Sequence, residues 1–137
     1  ATSIQDGEEV GILASFVEQA GFNPPMITVA IGVDRRLNQA IEDSNMIGIN
    51  ILAEEDARLM KPFNQQDNRS PFDSLEFEDN EYELPQLAEA LAFLACKITG
   101  KIEGGDHIVY AAEVVDGVLN DPNRSPMVRV RKNGFQY

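Results

Sequence analysis

"LAFLACKITGKIEGGDHIVYAAEV", residues 91–114, holds two strand-like runs around one tight turn. The first is predicted as strand from about Ala92. Glu103-Gly104-Gly105-Asp106 reads as the turn, and a second strand is predicted over 107–115. His107, the only histidine of the chain, stands at the mouth of that second strand. Its plain reading is a turn-flanking side chain bonded to Asp106 or to solvent. Its functional reading is a titratable group facing a ligand pocket, since histidine is the side chain whose charge ordinarily changes near neutrality. A lone histidine with no HxxxH or HExxH spacing makes no metal site.

Working outward, residues 10–17, "VGILASFV", are predicted as a strand behind a polar turn at Asp6-Gly7. "NPP" at 23–25 is a rigid break, because proline fixes its own φ and pushes the preceding residue toward extended geometry. "MITVAI", 26–31, suits a buried strand. The period then changes. Asp34 is placed to cap a helix over 35–43, with Leu37, Ala40 and Ile41 on one face. "MIGINIL", 46–52, returns to strand, and "AEEDARLMK", 53–61, reads as a helix with acids first and bases last. Residues 62–85, polar, acidic and interrupted by Pro62, Pro71 and Pro85, read as a long surface loop. A helical turn is predicted to open the 84–103 segment, and a last strand is predicted over 127–131 after the turn "NDPNRS". Six or so strands with only short helices argue for a closed or nearly closed β-barrel. Parallel α/β layering is disfavoured, because it needs a helix of about 10–15 residues between successive strands.

The 137 residues, 43% of them hydrophobic, suit one globular domain over 1–137. A formal net charge of −12 repels phosphate backbones and argues against general nucleic-acid binding. The single cysteine, Cys96, excludes an internal disulfide and a cysteine-based zinc site, and reads as an inert buried thiol. No apolar run approaches the roughly 20 residues of a membrane helix, and no basic segment leads into an apolar one. The expectation is a cytoplasmic protein. The chain opens at Ala1-Thr2-Ser3 without a methionine, as a fragment or a domain of something longer would. Met26, Met46, Met60 and Met127 lie in apolar contexts and read as core, and "EFEDNEYE", 76–83, reads as a solvated loop face.

Two more segments admit a functional reading. In "GVDRR", 32–36, a strand end, a glycine and two arginines meet a helix start, where free amides and guanidinium forks suit a phosphate. Arginine there opposes the helix dipole, so helix stability does not explain it. The plain reading is a solvated turn. In "ASFVEQAGFNPP", 14–25, small side chains let a planar ligand approach the backbone; the plain reading is an ordinary strand end.

Taken in order, "GILASFVEQAGFNPPMITVAIGVDRR", "IGINIL", "LMKPF", "LAFLACKI", "GGDHIVYAAEV" and "VRVRKNGFQY" resemble the flavin reductase-like family, the FMN-binding split barrels. Within that family the chain looks most like the C-terminal flavin reductase domain of cyanobacterial and plastid flavodiiron proteins. The resemblance implies a mainly β fold: a six-stranded antiparallel split β-barrel with short peripheral helices. It also implies a homodimer, FMN near the subunit interface with FAD as the other candidate flavin, NAD(P)H as reductant, and one more strand before Thr2.

Residue by residue, the resemblance sets Ala14, Ser15 and Phe16 along the flavin, and Gln19, Ala20, Gly21 and Phe22 in the loop whose amides meet its ring. Gly32 with Asp34, Arg35 and Arg36 falls on the phosphate side, and Asn50 on a strand close to the cofactor. Asp106 and His107 match the motif beside the flavin and nicotinamide, with His107 as the catalytic candidate; Arg131 to Tyr137 match a closing segment. The chain departs from many relatives at Glu18 and Gly21, where hydroxyls are common, and at Val33, where lysine is frequent. The leading expectation is an oxidoreductase passing hydride from NAD(P)H to flavin. In a flavodiiron setting, electrons then pass to a di-iron centre in another domain, or to an acceptor protein. The alternative, favoured by those departures, is a non-catalytic module for dimerisation or FMN holding. No Rossmann fingerprint is present from which to read NADH against NADPH.

Overall fold

The computed structural model describes residues 1–64 and 70–128. Its elements are β1 (Thr2–Gln5), β2 (Glu8–Gly11), β3 (Val17–Phe22), β4 (Pro25–Gly32), helix α1 (Arg36–Ser44), β5 (Met46–Ile51), β6 (Phe77–Glu78), β7 (Gln86–Leu87), β8 (Ala92–Gly104) and β9 (His107–Leu119). The fold is mainly β, as expected, with every pairing antiparallel. Among the described residues the main sheet has seven strands rather than six, in the order β2-β1-β5-β8-β9-β4-β3, and β6 pairs with β7 separately.

The β8–β9 hairpin is the spine of this sheet. Gly104 pairs with His107 across the turn, and Gly105 takes φ +82° there. Both strands run 13 residues, so β9 outlasts its predicted end. Register shifts at Ala95/Cys96 and Ile98/Gly100 bend the ribbon.

The sheet must also curl. Its two edges, β2 and β3, are joined only by residues 12–16. Six Cα steps from Gly11 to Val17 reach at most ~21 Å. Seven strands laid flat would set the edges ~29 Å apart. The connector is bonded at both ends: Ile12 and Ala1 exchange 2.9 Å bonds, and the Ala30 amide donates to the Phe16 carbonyl at 3.0 Å.

Inside the curl, the inward residues of β4 (Ile27, Val29, Ile31) meet Ile47 and Ile49 of β5, Cys96 of β8, and Tyr110 and Ala112 of β9. α1 covers this core with Leu37, Ala40 and Ile41. It stops at Asn45, whose left-handed φ of 58° ends the helix as its amide donates back to the Ile41 carbonyl. Among the described residues no helix is long and apolar enough to cross a membrane.

Several local expectations are corrected. The 10–17 strand is split: Val10 and Gly11 end β2, and Val17 begins β3, because the chain must cross between sheet edges here. Asp34 does not cap α1. Arg35 holds the N-cap position without a side-chain cap, and the helix runs one residue later than predicted. Of 53–61 only Ala57–Met60 is helical, as a 3-10 helix, with turns at Glu54, Glu55 and Lys61. The acids before it are taken by Arg124, which pairs with Glu55 at 2.6 Å and with Asp56, while Ala53 bridges to Pro126. The 62–85 loop contains 3-10 turns at Pro62–Asn64 and Pro71–Ser74 as well as β6. The helical turn expected near 84 is extended chain, held by β7 pairing and by the Leu87 amide donating to Asn50 Oδ1 at 2.8 Å. Met127 and Val128 are not strand, and 129–131 lie outside the described residues. All four methionines are half-buried at the margin of the core rather than within it.

Cys96 is buried, as expected, and desolvation pushes its thiol up to about 12. Labelling with an aromatic disulfide reagent at pH 8 is therefore expected to be negligible in the folded protein and complete after urea unfolding, a difference of more than ~100-fold in rate. Rapid labelling of native protein would contradict the burial.

Candidate functional site

The end of β4 and the start of β9 are one place. Gly32 pairs with His107, and the Val33 amide donates to the Asp106 carbonyl at 3.0 Å. The ring of Phe16, at the far end of the 12–16 connector, meets the His107 ring edge-on with centroids 5.7 Å apart. His107 Nδ1 lies 2.8 Å from Asp106 Oδ1. That contact holds the Asp106 carboxyl below the usual carboxylate range. Phe16 is 39% exposed, so this aromatic pair faces outward from the core.

Beside it the chain turns into α1, with the Arg35 amide donating to the Gly32 carbonyl at 3.1 Å. Of the first amides of α1, that of Asn38 already donates to the Arg35 carbonyl at 3.1 Å, while those of Arg36 and Leu37 have no acceptor within the helix, and the first turn carries no acid. Arg35 Nε sits 3.7 Å from Asp34 Oδ1 but its side chain remains 59% exposed. Arg36 is turned the other way, toward Gln5 at 3.4 Å and Glu8 at 3.5 Å on the β1–β2 hairpin. Helix amides and an exposed guanidinium form a donor set that fits an anion such as a flavin phosphate.

Phe16, Gly32, Asp34, Arg35, Asp106 and His107 are thus brought together. Other candidates lie apart. Gly21 and Phe22 occupy the opposite end of β3, where Phe22 pairs with Pro25, and Gln19 and Ala20 lie midway along it. Six residues of strand separate Phe16 from Phe22, ~20 Å. Phe22 is 85% exposed at that tip. Gly21 follows a bulge, and a Cβ there would sit 3.2 Å from Met26, so the hydroxyl residue common in relatives would be crowded. Glu18 and Val33 are both exposed. Ala14 packs against the core and Ser15 is exposed. Asn50 is occupied within the fold: its amide nitrogen donates to Thr2 Oγ1 at 3.1 Å and to the Pro85 carbonyl at 3.2 Å, while its oxygen accepts from Leu87. Arg131 and Tyr137 lie outside the described residues.

Two residues that carry no site motif enter the geometry. Asn38 Nδ2 donates to the Gly32 carbonyl at 2.7 Å, and the buried Tyr110 hydroxyl donates to Asn38 Oδ1 at 3.2 Å. The available signal was a polar Asn38 next to the apolar stripe of a short helix.

Residues 1–136 match the model of the flavin reductase-like domain. The chain belongs to the flavin reductase-like family. It is 33% identical over 137 residues to diflavin flavoprotein A 1 of Synechocystis sp., spanning 97% of this chain and 24% of that protein. The chain therefore spans about a quarter of the diflavin flavoproteins that it matches. It is 31% identical over 134 residues to the reductase component of 4-nitrophenol 4-monooxygenase/4-nitrocatechol 2-monooxygenase of Rhodococcus opacus, covering 98% of this chain and 71% of that one. The fold matches the NADH:FAD oxidoreductase SgcE6 of Streptomyces globisporus in complex with NAD and FAD fragments, at TM-score 0.83 and 23% identity, over 97% of this chain and 82% of that one.

Proposed function

We propose that this flavin reductase domain, residues 1–137, passes hydride from NAD(P)H to a bound flavin, FMN in the first instance. The observation that carries the reading is the meeting of Phe16, Asp106 and His107 with the α1 start in a chain of this family. The flavin supplies hydride acceptance at its N5. Arg35 and the first amides of α1 bind its phosphate. Phe16 and His107 line the nicotinamide side and exclude water. Asp106 orients the His107 ring beside the flavin, where the imidazole stabilises charge that develops there.

The curled sheet, with β2 and β3 as its outer strands among the described residues, is read as a split barrel. Exposed Ile102, Val115, Val118 and Leu119 on β8 and β9 support a homodimer built on that ribbon. The diflavin relatives, of which this chain spans about a quarter, support attachment to a further domain; that this domain accepts the electrons, in the cytoplasm, is part of the proposal.

The test is spectroscopic. Purified protein incubated with FMN and desalted is expected to retain a flavin band that NADH or NADPH bleaches anaerobically. Retained flavin without bleaching would favour the non-catalytic, flavin-holding alternative. Absence of both retention and NAD(P)H oxidation with added FMN or FAD would overturn the enzyme reading.

A further inference from the structure

Tyr110 is fully buried and Asn38 nearly so, yet both are polar and both sit against the apolar core. They form a directional chain. The Tyr110 hydroxyl donates to Asn38 Oδ1, and Asn38 Nδ2 donates to the Gly32 carbonyl. At its outer end the hydroxyl lies 3.5 Å from Glu42 Oε1. Glu42 accepts from Lys101 Nζ at 2.9 Å, and Lys101 also pairs with Glu103 at 2.7 Å. A cavity of about 270 Å³ opens there between α1 and β8, lined by Glu42, Thr99, Lys101 and Tyr110 among others. The phenol has one proton, and Asn38 is the nearer acceptor, so the direction of the chain is set.

Apolar residues of similar volume would fill both places at less desolvation cost. What the polar pair adds is a fixed Gly32 carbonyl. That carbonyl takes two donors, Asn38 Nδ2 and the Arg35 amide at 3.1 Å, and the two together shape the turn from β4 into α1. We infer that Asn38 and Tyr110 are positioning residues for the anion end of the flavin site. They hold the Gly32–Arg35 turn so that the first helical amides and the Arg35 guanidinium face the same space as His107. The inference rests on the reading of 32–36 as the flavin phosphate segment.

The experiment compares Tyr110→Phe, Asn38→Leu and Asn38→Asp with the unmodified chain and with R35A/R36A. It measures FMN Kd by flavin fluorescence quenching, kcat at saturating FMN, and Tm. Ser44→Ala is the control. It removes a hydroxyl bonded to Ala40 and Met46 and touches no site residue. Loss of one buried hydrogen bond is expected to raise Kd about fivefold in Tyr110→Phe and about tenfold in Asn38→Leu, with kcat within about twofold. Asn38→Asp keeps the acceptor for Tyr110 and loses the donor to Gly32, so its Kd is expected to rise at least as far. Ser44→Ala is expected to lower Tm without moving Kd. A Kd within twofold of the unmodified chain in Tyr110→Phe and Asn38→Leu, while R35A/R36A binds weakly, would overturn the positioning role and leave the phosphate segment standing. Unchanged Kd in R35A/R36A would overturn both. If Asn38→Leu does not fold, Tyr110→Phe, which keeps the ring in the core, decides alone.

Discussion

Replacing Arg35 and Arg36 together by alanine is expected to weaken FMN binding roughly 100-fold, with little change in kcat at saturating flavin. The reason lies in what else holds a phosphate at this corner. Helix amides remain, but they are dipoles; the variant removes both guanidinium groups from a domain whose formal charge is already −12. The two contributions are unequal. Arg35 stands at the N-cap position with its side chain 59% exposed, whereas Arg36 is drawn toward Gln5 and Glu8 at 3.4–3.5 Å. R35A alone is therefore expected to carry most of the effect, and R36A a minor share. Both effects shrink as salt rises, because exposed charges are screened beyond about 8–10 Å at physiological ionic strength. Lys97→Ala, on the exposed side of β8, separates a general charge effect from a local one. It changes the net charge without approaching the site, and its FMN Kd is expected to match the unmodified chain. Flavin affinity that R35A/R36A leaves intact would place the phosphate elsewhere.

The same corner shows what the chain's text reveals about its fold. The β8–β9 ribbon was legible because its glycines and aspartate punctuate two apolar runs, a signal local to some 20 residues. The cluster of Gly32, Asp106 and His107 followed from motif resemblance, and the backbone now explains it: β4 and β9 pair so that both motifs end at one edge. What was illegible is non-local. The split of the 10–17 run follows from the distance between sheet edges, which no window of sequence encodes. The loss of the 53–61 helix follows from Arg124, 68 residues away from Asp56, which takes the acids that would have stabilised a helix start. Asn50 reads as a polar strand residue free to meet a cofactor. Its three bonds to Thr2, Pro85 and Leu87 come from segments distant in sequence, and they turn it into a joint. Tyr110 and Asn38 escaped for the same reason, being ordinary residues until α1 is laid over β9.

That joint around Asn50 has a vulnerable neighbour, and Gly48→Ala is expected to cost about 2–3 kcal/mol of stability by overpacking. A Cβ on Gly48 would lie 2.7 Å from Thr2 Oγ1 and 2.9 Å from Phe93 Cε2, closer than real contacts allow. Neither neighbour can yield freely. Thr2 Oγ1 donates to the Pro85 carbonyl at 2.8 Å and accepts from Asn50, while Phe93 is buried against Leu84 and Ala95. Gly48 also pairs with Thr2 of β1 on one side and Ala95 of β8 on the other, so a backbone shift would disturb both ladders. For a chain of this size the cost corresponds to a fall in Tm of about 5–10 °C. Gly100→Ala is the matched comparison: an added Cβ there meets nothing within 4 Å, and its stability is expected to stay within about 0.5 kcal/mol of the unmodified chain. Because Gly48 lies on β5, with β8 and β9 between it and β4, folded Gly48→Ala protein is expected to keep its FMN affinity. Equal melting of Gly48→Ala and Gly100→Ala would mean that β1 and Phe93 do not close on Gly48 as described. A shared loss of Tm and FMN affinity would instead tie the β1–β5 joint to the flavin corner, restoring to Asn50 the cofactor role that its three intrachain bonds now argue against.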